Sequence, residues 1–180
     1  MTTPGQPAAL EALVGAGELA GSWTLDAARS QVRLATKSMW NLVPVKGVFG
    51  EVSGSGTVTE SGDVAGTLMI AAGSIDTKVK KRDDHLRSAD FFDVANHPDI
   101  TFSAEAVSAA ADGVTVAGSL TVRDTTRPVS FGAAVSGGDG EVTLDAEFPL
   151  NRADYGITFN QLGMMGTHNT ITVHAVFTRQ

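Results

Sequence analysis

Four histidines and a crowd of carboxylates are the side chains of this sequence with most scope for acid–base or metal chemistry. His85 follows Asp83 and Asp84 in "KRDDHLR", a grouping that could serve as a general base or half a metal site. Spacing fixes no second ligand near it, so hydrogen bonding within a connection is the better reading. His97 stands before Pro98 and reads as a turn residue, since proline disfavours helix in the residue ahead of it. His168 and His174 lie six apart, on one face of any continuous strand, but that face alternates away from Ile171, Val173 and Phe177 toward solvent. The chain has no cysteine, which excludes disulfides, thiolate metal sites and a cysteine nucleophile. No nucleophile–base pair, phosphate-binding glycine loop or metal-ligand spacing stands out.

Charge is concentrated in "SIDTKVKKRDDHLRSADFFDVANHPDI", residues 74–100, around two adjacent phenylalanines. The stretch from Thr77 to Arg87 predicts a short helix capped by Thr77, with Ser88 as a second cap. Val79 and Leu86 give that helix an apolar edge, and at least one of the Phe91 and Phe92 rings would turn into the barrel while the charged half stays wet. This predicts a lid or plug held by ion pairs among Asp76, Lys80, Arg82, Asp83, Asp84, Arg87, Asp90 and Asp93.

The elements that would carry such a lid repeat with a period of two, the strand period. Runs such as "GVTVAGSLTV", "RPVSFGAAV", "EVTLDAEFPL" and "TITVHAVF" alternate apolar with polar residues, and earlier runs bring the total to about eight strands. Hairpin signals at "SGD" 61–63, "ADG" 111–113 and "GGDG" 137–140 predict antiparallel neighbours. Eight such strands close into an up-and-down barrel or pack as a two-sheet sandwich. A 180-residue chain accommodates one such domain over 21–180, preceded by a flexible or partly helical tail at 1–20. Glu11 and Glu18 interrupt the N-terminal apolar stretch, which reads as neither a leader nor a membrane span, so the expectation is a cytoplasmic protein. A net charge of −7 argues against nucleic-acid partners and against simple electrostatic docking on anionic membranes.

The inward face mixes Phe102, Phe131, Phe148 and Phe177 with Gly118 and alanines at 104, 106, 133, 146 and 175. Small residues could complement the rings in a packed core, or leave an apolar void that a hydrophobic ligand fills.

The strings "GSIDT", "KRDDHLRSADFFDVANHP", "GSLTVRDTTRPVSF" and "LNRADYGITFN", in this order, resemble the YceI-like family of lipocalin-like polyisoprenoid-binding proteins from about Trp23 onward. The resemblance implies an all-β, lipocalin-like eight-stranded antiparallel barrel with a short helical lid segment. It also implies an apolar tunnel for a prenyl quinone or prenyl phosphate. On that reading the protein binds and shields an apolar small molecule or lipid; the residues themselves single out no catalytic group, metal ligand or cofactor beyond a bound isoprenoid or quinone. Pairing of two copies through barrel surfaces is a further expectation of the resemblance.

Two stretches depart from the family pattern: "TKSMWNLVPVKGVFG", where a Lys-His pair is usual, and "LGMMGTHNT", where an acidic residue is usual. Their large residues, Trp40 and Met164 among them, would reshape the tunnel mouth. Inward parity or lid position selects Trp40, Phe49, Ile70, Leu86, Phe91, Phe92, Phe102, Leu120, Phe131, Phe148, Met164 and Phe177 as ligand-binding residues. Arg123, Arg127 and Arg152 read as structural corners, or as mouth residues that pair with a phosphate or quinone oxygen. Rival readings are a cyclase or isomerase using the same apolar pocket, and a barrel whose interior is simply packed.

Overall fold

The computed structural model describes residues 17–138, 140–160 and 164–180. Eleven strands follow one another: β1 (Gly21–Leu25), β2 (Gln31–Ser38), β3 (Val43–Phe49), β4 (Val52–Val58), β5 (Val64–Ala71) and β6 (Ile75–Asp76), then β7 (Asp99–Ala110), β8 (Gly113–Val122), β9 (Thr125–Gly138), β10 (Glu141–Asn151) and β11 (His168–Arg179). The helix α1 (Lys80–Arg87) lies between β6 and β7.

Three pairs of strands are single staves with a break. A short 3₁₀ turn at Ala27–Arg29 separates β1 from β2, Gly50 and Glu51 separate β3 from β4, and a second 3₁₀ turn at Ala72–Ser74 separates β5 from β6. Counted as staves, the chain makes a closed eight-stranded antiparallel barrel in which each stave pairs with its neighbours in sequence. Closure falls to β11, whose Thr170–His174 half pairs with β2 and whose Phe177–Arg179 end pairs with β1. The bend between them is tied down by Val176, whose N–H donates to Ser30 Oγ (2.9 Å) and whose carbonyl accepts from the Asp26 N–H (2.8 Å). Full closure leaves no long sheet edge exposed.

The alternation seen in the sequence survives along most staves. In β8, Val114, Val116, Gly118, Leu120 and Val122 are buried while Thr115, Ala117, Ser119 and Thr121 between them are not. One irregularity shifts the parity. The β7–β8 register slips between Ala104 and Ala106, so Glu105 is an extra residue and every side chain beyond it changes face. Ala106, expected inward, is exposed; Val107 takes its place on the inner wall.

The connections 39–42, 72–98, 123–124 and those following β10 gather at one end of the barrel, here the lid end. At the opposite, base end, residues 17–20 make a turn in which the Ala20 N–H donates to the Gly17 carbonyl, and the Trp23 indole donates to the Leu19 carbonyl at 2.9 Å. The rest of the expected tail lies outside the described residues. No helix among the described residues is long and apolar enough to cross a membrane.

Candidate functional site

The barrel encloses a cavity of about 640 Å³ that runs from Leu19 and Trp23 at the base to Leu86, Phe91 and Phe92 beneath the lid. Its wall is not uniform. An aromatic ladder runs across β7, β9 and β10: Phe131 stacks on Phe148 with ring centres 4.3 Å apart and planes within 8°, and Phe102 tilts against Phe131 across β8 at 5.6 Å. These rings are only partly buried because they face the cavity rather than a packed core.

Beside the ladder, across β4, β5 and β7, the wall is smooth. Gly56 pairs with Gly66, and Gly66 with Ala104, in adjacent positions on β4, β5 and β7, and all three line the cavity. At either glycine the nearest neighbours of an added Cβ would be backbone atoms of the paired strand, at 3.0 Å and beyond. Gly118, one stave further, is different: an added Cβ would stand 2.1 Å from the Ser103 carbonyl oxygen and 2.9 Å from the tip of the Phe102 ring. That glycine seats Phe102, and it does not line the cavity.

The lid is built less by ion pairing than its composition suggests. Helix α1 starts at Lys80, capped by Val79 without a side-chain hydrogen bond, so Thr77 is not its cap. Instead Thr77 is buried, and both its N–H (2.9 Å) and its hydroxyl (2.5 Å) donate to the Asp83 carboxylate. Arg82 donates to the Thr77 hydroxyl and carbonyl at 2.8 and 2.9 Å. Arg82 and Asp83, expected to form ion pairs, therefore meet through Thr77, because a buried carboxylate needs donors more than a mobile counter-charge. Ser88 begins no second helix; its hydroxyl closes α1 by donating to the His85 carbonyl. The exposed pairs are Lys78–Asp76, Lys80–Asp84, Arg87–Asp84 and His85–Asp90. Beneath the helix, fully buried Ile75 sits in the space left by Gly47, where an added Cβ would be 2.7 Å from it.

The arginines at the bends divide by role. Arg123 donates to the Phe91 carbonyl and Arg127 to that of Asp154, both at 3.3 Å, so each braces a connection. Arg152 lines the cavity, lies over the Phe91 ring at 5.4 Å, and donates to the carbonyls of Gly166, Ile157 and Met165. Burial pushes its guanidinium below the ordinary arginine value, though it stays charged. The charged residues lining the cavity are Lys37, Arg82 and Arg152, all cations and all at the lid end. Burial likewise pushes the Tyr155 hydroxyl up. The histidines stay out of the cavity lining: His85 meets Asp90 at 2.9 Å, and His174 meets Asp145 at 2.5 Å on the outer wall.

Ten of the twelve residues selected by parity or lid position line this one cavity: Phe49, Ile70, Leu86, Phe91, Phe92, Phe102, Leu120, Phe131, Phe148 and Phe177. Trp40 and Met164 do not. Trp40 is 62% exposed, because Met39, Trp40 and Asn41 have successive φ angles of 51°, 54° and 67° that turn the β2–β3 connection away from the barrel. Met164 is partly buried beside Met165, and it is Met165 that bridges to Ser38 and reaches the cavity. Phe159 escaped the sequence reading altogether. It packs edge-on to Phe91 (5.6 Å) and to His85 (5.0 Å) from an irregular segment with no period to betray its direction.

The YceI-like domain model matches residues 23–177. Curated proteins named YceI from Salmonella arizonae and Salmonella paratyphi B are 32% identical over 120 residues, which is 62% of this chain. The chain spans 63% of the length of those relatives. Among solved structures, BcnA of Burkholderia cenocepacia superposes with a TM-score of 0.77 at 23% identity, covering 84% of this chain and 98% of that one. A polyisoprenoid-binding domain from Saccharophagus degradans, implicated in plant cell wall breakdown, gives 0.70 at 15% identity, with 88% and 98% covered. The YceI protein of Campylobacter jejuni gives 0.67 at 19%, with 76% and 85% covered.

Proposed function

Because the chain belongs to the YceI-like family, we propose that it binds and shields one long apolar molecule, an isoprenoid with a quinone or phosphate head, inside its barrel. The observation that carries this reading is the polarity of the cavity: aliphatic and aromatic side chains along the staves, with three cations and no carboxylate at the lid end among the described lining residues. An apolar chain would lie along the ladder of Phe102, Phe131 and Phe148. An oxygen-bearing head would sit beside Lys37, Arg82 and Arg152, whose N–H groups can donate to it. Affinity would come mainly from burial, at roughly 25 cal/mol per Å² of apolar surface removed from water. The size suits one guest, since pockets for small molecules run from about 300 to about 1,000 Å³. The polyisoprenoid-binding domain of Saccharophagus degradans supports the choice of cargo by its likeness in fold. A cytoplasmic place of action is part of the same proposal, and fractionation of the native host checks it.

Two experiments test the reading. Organic extraction of protein purified from its native host, followed by mass spectrometry, should yield a stoichiometric isoprenoid or quinone. An empty extract from a stable protein would move weight to a packed barrel or to an enzyme whose substrate does not stay bound. Phe102→Asp and Phe131→Asp should each abolish uptake of an apolar fluorescent probe while the protein remains soluble. Retained uptake in both variants would sink the cavity assignment.

A further inference from the structure

The β2–β3 connection, turned out of the barrel, presents an apolar tip at the lid end. Trp40 is 62% and Leu42 79% exposed, and Met39 and Val43 flank them at 46% and 44%. Four large apolar side chains in five residues, none packed on the core, make a patch that soluble surfaces rarely carry without use. The backbone enforces the display. Three successive non-glycine residues in the left-handed region are uncommon, and the turn is closed by the Leu42 N–H donating to the carbonyls of Ser38 and Met39. Its base is anchored to the cavity wall: the Gly166 N–H donates to the Lys37 carbonyl, and Lys37 and Ser38 themselves line the cavity.

Charge around the tip differs sharply from the rest of the chain. The lid-end connections with the strand ends beside them, residues 37–46, 71–99, 123–127 and 151–160, hold ten of the thirteen Lys and Arg but eight of the twenty Asp and Glu. The lid end thus holds two more cations than carboxylates, whereas the described residues elsewhere hold three cations and ten carboxylates. Within 37–46 there is no acidic residue at all, and Lys46 and Lys81 have no carboxylate partner among the described residues.

We propose that the Met39–Val43 tip docks the lid end onto an anionic lipid bilayer. Tryptophan and leucine would enter the interface, where an indole ring is at home between hydrocarbon and water, and the nearby lysines would face the head groups. The uneven charge would turn the lid toward the membrane and the acidic base away from it. A folded protein partner is the less apt occupant, because an isolated protruding tip of about five residues offers far less than the roughly 800 Å² per side of a stable interface. The docking itself is independent of the cargo; that it serves exchange of an isoprenoid with the membrane rests on the proposed function.

Vesicles free of isoprenoids separate the two ideas. The protein should float with vesicles of phosphatidylcholine mixed with an equal part of phosphatidylglycerol, and Trp40 emission should shift to the blue while buried Trp23 contributes a constant background. The double variant Trp40→Ser, Leu42→Ser should bind them at least about tenfold more weakly, yet take up an apolar probe in buffer as the parent does. Lys46→Gln with Lys81→Gln should weaken binding and flatten its salt dependence. The proposal is overturned if the parent floats with neither these vesicles nor pure phosphatidylcholine, or if the tip variant floats equally well. It is also overturned if the tip variant merely converts a dimer to a monomer with no vesicle binding in the parent. Loss of probe uptake with docking intact would instead count against the cavity reading alone.

Discussion

Two neighbouring stretches of the inner wall are equally poor in side-chain bulk, and they are small for opposite reasons. At Gly118 the backbone of β7 stands so close that no side chain fits, and the missing volume is taken by the Phe102 ring. At Gly56 and Gly66 the nearest atoms to an added Cβ are backbone, at 3.0 Å and beyond, with no ring among them, and these two positions and Ala104 open onto the cavity. Small residues in a barrel wall thus do two jobs. One lets a ring and a strand interlock, as close-packed interiors require. The other leaves volume open inside the barrel, at a cost in stability that a bound guest would offset.

The largest effect should come from the interlocked site. Gly118→Val must displace the Ser103 carbonyl and so break pairing between β7 and β8 at the centre of the barrel. The expected loss is about 3 kcal/mol or more, or failure to fold, read from urea denaturation. A loss below about 1 kcal/mol would mean that the two stretches do not differ in kind.

The rings give the next test. Phe102→Ala empties the seat at Gly118 as well as removing cavity-facing surface, and should cost about 3 kcal/mol. Phe131→Ala removes a ring that already faces empty volume and should cost about 1–2 kcal/mol. Equal costs would remove the distinction between filled and open wall.

Much of the barrel was legible from its alternation, because a residue half-buried on a pleated stave repeats every second position. Ten of the twelve selected residues lie on the cavity for that reason or because they sit beneath the lid. What escaped has a common cause: backbone irregularity carries no period. Glu105 is one extra residue in β7 and sends Ala106 outward, although nothing in "SAEAVS" announces it. The direction of Trp40 depends on three consecutive positive φ angles at residues with no shared propensity for them. The buried Thr77–Asp83 contact closes across six residues, where the pattern suggested a helix cap. Size and hydrophobicity marked Trp40 as important and placed it on the wrong side of the wall.

The smallest change in stability, and the sharpest separation of the two kinds of wall, is expected from Ala104→Phe. Ala104 lies between Gly66 and Gly118 in the paired register, with open cavity in front of it. A ring there meets no displaced backbone if the space is empty, and it adds contacts to Phe102 and Phe131 across the void. Stability should stay level or rise by about 0.5–2 kcal/mol, as cavity-filling substitutions do. Uptake of a long apolar probe should fall at least about tenfold, because one ring takes the width that the chain must pass. If stability fell by about 2 kcal/mol instead, the wall at Ala104 would be packed like that at Gly118, overpacking being the cause. A variant that is both stable and still competent for uptake would put the cargo elsewhere in the barrel, toward the base and away from the row of small residues.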